Sequence, residues 1–168
     1  MNIFVLDNCP RQAARYLCDK HIVKMVLESA QMLCTVHNGV APYKVAHKNH
    51  PCTIWTRTSM SNYNWLIEHG EEIGFEYTKR FGKHHKSSDV IEWCKVNRPP
   101  ILDLGLTEFA QAMPDKYKVH GDPVLAYRKY YVGEKSKFAK WTCNPEPEWY
   151  TIMLKENENE QCTNLAFN

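Results

Sequence analysis

Residues 19–37 read DKHIVKMVLESAQMLCTVH, and this stretch decides the fold. Apolar side chains would cover most of the circumference of a helix formed by these residues, which is typical of a helix buried in a core. Asn38-Gly39 predicts the end of that helix, because glycine adopts the left-handed conformation at little cost. A shorter helical pattern precedes it over residues 11–18 and either ends or kinks near Asp19.

The polar exceptions within this helix are spaced by three or four residues, which places them in one row along a face. This polar row consists of His21, Lys24, Glu28, Gln31 and Thr35. In one interpretation the row is the solvent face, with Lys24 and Glu28 as a surface ion pair. In the other it lines a cleft, where an amine and a carboxylate share proton transfer, charge stabilisation or nucleophilic attack. The narrowness of the row favours the cleft, which predicts Lys24, Glu28 and His21 as catalytic and Gln31 as substrate-binding.

The rest of the chain predicts a mainly α, compact single-domain helical fold with a short N-terminal extended segment. The extended segment is Asn2 to Leu6, an apolar run expected as a strand or extended chain against the core. Three further helices are predicted: one from Ser59 or Ser61 to Phe81, one capped by Ser87, Ser88 or Asp89 and stopped by Pro99-Pro100, and a last one from Asp122-Pro123 to about Tyr131, before Gly133. The domain is predicted over residues 1–144, with residues 145–168 as an acidic C-terminal extension packed on or flanking it.

Composition places the chain among ordinary globular proteins, with 43% hydrophobic and 24% charged residues. Its net charge of +2 is too small to indicate a nucleic-acid binder by itself. Seven scattered cysteines without a CxxC pair favour reduced thiols, and no stretch resembles a signal peptide or a membrane span. We therefore expect a cytoplasmic protein that does not contact membranes.

Two further segments offer candidate ligand contacts. The loop around residues 47–51 combines histidines and lysines that donate to anionic oxygens. The segment at residues 127–131 mixes basic residues with flat rings, as in surfaces that bind a nucleic-acid backbone and stack its bases, or as in a core helix edged by lysines. The predicted substrate-binding residues are His47, Lys48, His50, Arg57, Arg128, Lys129 and Tyr130, in addition to Gln31.

A metal site is the weaker interpretation of the histidines. His47 and His50 are spaced to share a metal on a helical turn, and His84-His85 could add a ligand, but no carboxylate accompanies either pair at a recognised metal-ligand spacing. The sequence therefore predicts no bound metal and no cofactor. The loop is otherwise a surface loop after which Pro51 begins a helix.

The order of these elements resembles a known family, the pyrimidine-dimer DNA glycosylases of the phage endonuclease V type. The residues that carry the resemblance are Tyr43, His47 to Pro51, Tyr63, Leu66, Glu76, Arg80-Phe81-Gly82 and Lys86, with Lys129-Tyr130-Tyr131 and Trp141 similar to the closing segment of the family. The likeness covers the first half of the chain well and the remainder loosely.

The resemblance implies a compact helical fold, DNA as substrate, and cleavage of the glycosyl bond by an amine that forms a Schiff base with help from a glutamate. Glu28 is the candidate glutamate. The family uses an N-terminal α-amine after removal of the initiator methionine, which requires a small second residue, whereas Asn2 should leave Met1 in place. Either the Met1 amine serves, or Lys24 replaces it, or the glycosylase chemistry is absent.

Three functions remain open from the sequence. The first is a DNA base-excision or base-modifying enzyme that uses an amine, from Lys24 or Met1, and Glu28. The second is a hydrolase or transferase acting on a nucleotide or another small anion, with a metal held by His21, Glu28, His47 and His50. The third is a non-catalytic protein that sequesters a ligand in the same cleft. DNA or a nucleotide is the expected ligand, and the sequence leaves the oligomeric state open.

Overall fold

Helices form nearly all the regular structure of this chain in a computed structural model, which describes the backbone of residues 1–166 and the side chains of residues 1–159. The α-helices of that part are α1 (Pro10–Tyr16), α2 (Asp19–Val36), α3 (Pro51–Thr58), α4 (Met60–Phe81), α5 (Lys86–Val96), α6 (Pro123–Lys135) and α7 (Glu148–Ala166), and a 3-10 turn covers Asp115–Tyr117. Residues 1–166 contain no β-strand. The predicted mainly α, compact fold is confirmed.

Helix α2 is the centre of the fold. It packs against α3, α4 and α5, and most of its apolar side chains are fully buried. It does not continue α1, because Leu17 and Cys18 between them are both extended, with ψ of 134° and 162°. The sequence therefore identified the buried helix correctly, and the chain breaks rather than kinks before Asp19.

Close approach of the helices depends on glycine in α4. A Cβ atom added at Gly70 would lie 2.8 Å from Cδ1 of Ile91 in α5 and 3.3 Å from Cβ of Ser29 in α2. The three helices therefore meet at a point where a side chain would have to displace a neighbour. At the end of α4, Gly82 is left-handed with φ of 65°, as its sequence position predicts.

Two predicted helix boundaries are wrong. Helix α5 begins at Lys86, because the ring of His85 accepts the free Ser87 N–H at 3.1 Å and so replaces the predicted serine or aspartate cap. Helix α6 continues through Gly133, whose bare Cα accommodates the ring of Tyr117.

The predicted last helix is not the last, since α7 follows it. The segment after Asn144 contributes to the core, because Trp149 and Tyr150, in the first turn of α7, are buried. Whether the domain itself ends at residue 144 stays a prediction.

The N-terminal segment is buried but is not a strand. Ile3, Val5 and Leu6 are completely buried, and Phe4 has a positive φ of 41° that interrupts an extended course. The segment enters the core beside α2 and so carries the chain terminus to that helix. In the described part of the chain, no helix is both long and apolar enough to cross a lipid bilayer.

Candidate active site

The N-terminus and the polar row meet at Glu28. The α-amine of Met1 lies 3.5 Å from Glu28 Oε1, and the main-chain N–H of Asn2 donates to Oε2 at 2.9 Å. Lys24, one turn earlier on α2, places its Nζ 3.0 Å from the same Oε1. The Glu28 side chain is only 8% exposed. A nearly buried carboxylate therefore faces two amines, one from the chain terminus and one from a lysine.

The terminal residue is anchored by its side chain. The Met1 side chain is 2% exposed and packs against the hydrophobic core, whereas the residue as a whole is partly exposed. The accessible surface of Met1 therefore belongs to its main-chain atoms, including the end that carries the amine. Lys24 differs, because 63% of its side chain is exposed.

Asn2 fixes the direction in which the terminus runs. Its Oδ1 accepts the main-chain N–H groups of Ile3 at 2.8 Å and Phe4 at 3.1 Å, and its Nδ2 donates to the carbonyl of Ala112 at 2.8 Å. These bonds turn the chain at Phe4 and tie it to a second segment. Asn2 thus holds its own N–H, and the amine one residue before it, against Glu28.

His50 and Cys52 flank this corner. Burial lowers the pKa of His50, the positive terminus and His47 lower it further, and the charge of Glu28 opposes them. Burial raises the pKa of Cys52 to about 12, with the charges of the terminus and Glu28 acting in opposite directions. The charges of the terminal amine and of Glu28 therefore act on the pKa of both groups. Both groups favour their neutral forms near neutral pH.

The predicted substrate-binding loop approaches the same corner. Arg57 of α3 donates to the carbonyl of Lys48, and the hydroxyl of Thr35 donates to the carbonyl of Ala46 at 3.0 Å and accepts its N–H at 3.1 Å. Lys48 and His47 project into solvent. Arg57 and Thr35 thus brace the loop, and the basic groups at its tip remain exposed.

Gln31 lines a surface cavity one turn beyond Glu28. The cavity has a volume of about 410 Å³ and lies between α2 and the start of the loop. Its lining residues are Leu27, Gln31, Tyr43, Lys44, Val45 and Ala46. Gln31 therefore faces an opening one helical turn beyond Glu28 along α2.

His21 lies in an aromatic cluster at the other end of the polar row. Its ring stacks on Phe4 with a centroid distance of 4.3 Å, meets Phe138 edge-on at 5.8 Å, and its Nδ1 shares a hydrogen bond of 2.7 Å with the Tyr131 hydroxyl. Burial lowers the pKa of His21 to about 3, and the positive charges of Lys135 and Lys24 add to that effect. The imidazole is therefore neutral at ordinary pH.

Arg128 and Tyr130 make contacts within the protein. Arg128 donates to the carbonyl of Leu6 at 2.9 Å and lies 5.0 Å over the ring of Trp149. Tyr130 stacks on Phe4 at 6.1 Å. Of the three residues predicted in this segment, only Lys129 is exposed.

The sequence overlooked two residues that shape the corner, Asn2 as a brace and Cys52 as a neutral wall. The signal for Asn2 was its side-chain amide beside the terminus, whereas nothing in the sequence distinguishes Cys52 from the other buried cysteines. Among residues 1–159, no group of three or more His, Cys, Asp or Glu side chains is close enough to hold a metal ion.

Comparison with known proteins identifies the family of the chain. Residues 1–89, which run from the terminus through α4 into the start of α5, match the family model described as pyrimidine dimer DNA glycosylase. No curated protein and no solved structure gives a significant match. The match covers just over half of the chain and includes Met1, Glu28 and the loop with His47 and His50. The chain belongs to the pyrimidine dimer DNA glycosylase family.

Proposed function

We propose that this protein excises damaged pyrimidines from DNA, with the Met1 α-amine as nucleophile and Glu28 as the assisting carboxylate. The observation that carries the proposal is the 3.5 Å separation of that amine from a carboxylate that is only 8% exposed. A nucleophile beside a group that stabilises positive charge suits attack on a sugar carbon. Family membership supports damaged pyrimidines in DNA as the substrate class.

The proposed reaction begins with attack of the neutral amine on C1′ of the damaged nucleotide. The C1′–N bond breaks, its electron pair leaves with the base, and the base takes up a proton. The attacking nitrogen loses one proton, and its lone pair then breaks the C1′–O4′ bond. O4′ takes up a proton as the sugar ring opens, which leaves a protonated imine between Met1 and C1′. The Glu28 carboxylate stabilises the positive charge that develops on the sugar during attack.

Met1 suits the nucleophilic role better than Lys24. An α-amine is intrinsically a weaker base than a lysine side chain, so a larger fraction is unprotonated at neutral pH. The buried Met1 side chain also fixes the amine beside Glu28, whereas the exposed Lys24 side chain must lose its freedom before it can react. We propose that Lys24 instead contributes positive charge near the DNA backbone.

Processing of the terminus would leave an amine in the same corner. If Met1 were removed, the nitrogen of Asn2 would become the α-amine, and it lies 2.9 Å from Glu28 Oε2. The proposal therefore requires an α-amine at Glu28 and identifies it as that of Met1 because asparagine is not a small second residue.

The remaining predicted contacts are assigned to the substrate. We propose that His47, Lys48 and His50 donate to phosphates beside the damaged nucleotide. We propose that Gln31, from the cavity that it lines, contacts the nucleotide next to the damaged one. Arg57 acts by bracing the carbonyl of Lys48.

Borohydride trapping tests the proposal. The protein is incubated with duplex DNA carrying a pyrimidine dimer in the presence of borohydride, and the reduced adduct is digested and mapped by mass spectrometry. We expect a covalent adduct on the N-terminal peptide, and Lys24→Met should still form it. An adduct on Lys24 would transfer the nucleophilic role to that residue, and no adduct with no strand cleavage would refute the glycosylase function.

A further inference from the structure

Three lysines gather at the first turn of α2, away from the amine and the carboxylate. Lys20, Lys137 and Lys140 line a surface cavity of about 340 Å³ together with Asp19 and Phe138. The ammonium of Lys20 lies 4.7 Å over the ring of Phe138. Lys137 and Lys140 follow α6 and lie outside the part of the chain that matches the family.

Among the residues whose side chains the structure describes, nothing compensates the charge of these lysines. Within residues 1–159, no carboxylate lies at ion-pair distance from the ammonium of Lys20, Lys137 or Lys140. The one carboxylate in the cavity wall, that of Asp19, has other partners. It accepts from the Thr142 N–H at 3.0 Å and the Thr142 hydroxyl at 2.8 Å, and it pairs with Arg80 at 3.1 Å.

The segment that carries two of the lysines is fixed to α2. The N–H of Asp19 donates to the carbonyl of Lys140 at 2.8 Å, so the main chain at Lys140 is held against the start of the helix. The Thr142 bonds to Asp19 hold the next residues in place. The lysines therefore converge on a preformed site rather than on a free tail.

We infer that Lys20, Lys137 and Lys140 form a phosphate clamp that binds the DNA backbone beside the active site. Such a contact carries no sequence information and sets the register of the duplex on the protein. This inference rests on the proposed DNA-repair function. Arg128 and Tyr130 make contacts inside the protein. We therefore assign the DNA contacts of the C-terminal part of the chain to Lys137 and Lys140 instead.

The length of α2 sets the distance between clamp and reaction centre. Lys20 and Glu28 are eight residues apart on one helix, which corresponds to about 12 Å along its axis. For a duplex that runs along α2, with about 3.4 Å per base-pair step, the clamp would contact the backbone about three to four steps from the attacked sugar. Lys24 lies between the two sites on the same exposed side of the helix.

Binding to lesion-free duplex DNA tests the clamp without any chemistry. Affinity is measured by fluorescence anisotropy over a range of salt concentrations for the wild type and for the double variant Lys137→Ala, Lys140→Ala. We expect about tenfold weaker binding by the variant at low salt. The slope of the logarithm of the binding constant against the logarithm of the salt concentration should become shallower by about two, because each lost phosphate contact removes about 0.9 from that slope.

The matched control is the double variant Lys116→Ala, Lys118→Ala. It removes the same charge from lysines that already pair with Glu134 at 3.1 Å and Asp115 at 2.7 Å. We expect this control to bind nearly as the wild type does. Equal losses in both variants would mean that only net charge matters, which would overturn the clamp. Urea unfolding of both variants checks that these substitutions of exposed lysines leave the fold intact.

Shortening the duplex locates the contact. When one arm of a pyrimidine-dimer duplex ends before about the third step, the clamp loses its phosphate, and the difference between wild type and clamp variant should disappear on that side. A difference that persists with both arms shortened would overturn the inferred position. Trapping by borohydride remains a separate readout: adduct formation without clamp dependence would refute the clamp alone, and clamp dependence without an adduct would refute the chemistry alone.

Discussion

Glu28 and His21, two members of the polar row on α2, show how burial gives different properties to ionisable groups on one face of a helix. Glu28 is buried beside two amines and accepts the Asn2 N–H. His21, two turns earlier, is buried against Phe4 and Tyr131, where an imidazolium would lack a counter-charge. A buried group with opposite charges around it can carry out ionic chemistry. A buried imidazole among rings favours its neutral form.

The largest expected effect comes from Glu28→Gln, which removes the charge and keeps the shape. The side-chain oxygen of glutamine can still accept the Asn2 N–H, so the terminus should stay in place. Without the carboxylate, positive charge on the sugar is no longer stabilised, and we expect the single-turnover rate of adduct formation to fall by at least about 100-fold.

Binding of the same DNA provides the control for Glu28→Gln. Affinity by anisotropy should stay equal to that of the wild type or increase slightly, because removal of an acidic group does not weaken phosphate contacts. A variant that traps DNA at the wild-type rate would show that the carboxylate is not needed for the reaction.

Asn2 should have a smaller effect, because it positions the amine and does not react. Asn2→Leu loses the acceptor for Ile3 and Phe4 and the donor to Ala112, and its large side chain should leave Met1 in place. We expect the trapping rate to fall about tenfold with little change in DNA affinity. Asn2→Asp keeps the acceptor oxygens and should recover part of the rate.

A structural role alone would give a different outcome for Asn2. Intact mass spectrometry first establishes that Met1 is present in each variant, and urea unfolding gives the stability. If Asn2→Leu and Asn2→Asp lose activity only in proportion to their loss of folded protein, Asn2 does not position the amine.

The sequence predicted the helix and its polar row because both depend on spacing within one segment. The apolar periodicity of residues 19–37 predicts a buried helix whichever segments of the chain pack against it. The four-residue spacing of Lys24 and Glu28 alone places them on one side of that helix. The position of the N-terminal amine depends on Phe4, whose positive φ turns the chain toward α2. No local pattern predicts that turn, since it is set by the hydrogen bonds of Asn2 to residues up to 110 positions away.

The catalytic role that the sequence predicts for His21 is untested, and its surroundings in the structure explain why the sequence pattern is ambiguous. A histidine in a polar row has the same spacing whether it faces a cleft or aromatic rings. The rings that surround it come from the N-terminal segment, α6 and the segment after α6, which lie far away in sequence. The same reason explains Arg128, whose basic neighbours suggest a DNA contact but whose guanidinium lies over Trp149.

The smallest effect on activity is expected from His21→Phe, which keeps the stack on Phe4 and removes the titrating group. We expect the trapping rate to stay within about threefold of the wild type, because the imidazole is neutral and directed at Tyr131. Its effect should appear in stability. The pKa of His21 is about 3 in the folded protein and 6.5 in the reference state, so the unfolded chain binds the extra proton between these values. Acidification from pH 6.5 therefore favours unfolding, by up to about 1.4 kcal/mol per pH unit for one histidine.

Urea unfolding at several pH values between about 5 and 7 measures this linkage. The slope of the unfolding free energy against pH should be smaller in His21→Phe than in the wild type. The difference corresponds to at most one bound proton, or about 1.4 kcal/mol per pH unit. His69→Phe is the matched control, because burial lowers the pKa of His69 to about 4, and its ring lies beside Trp65 with a hydrogen bond of 2.9 Å to the carbonyl of Pro10. It should reduce the same slope without touching the polar row. A His21→Phe variant that keeps the wild-type pH slope and loses adduct formation would instead make His21 a working part of the site, and the contrast between His21 and Glu28 would then be wrong.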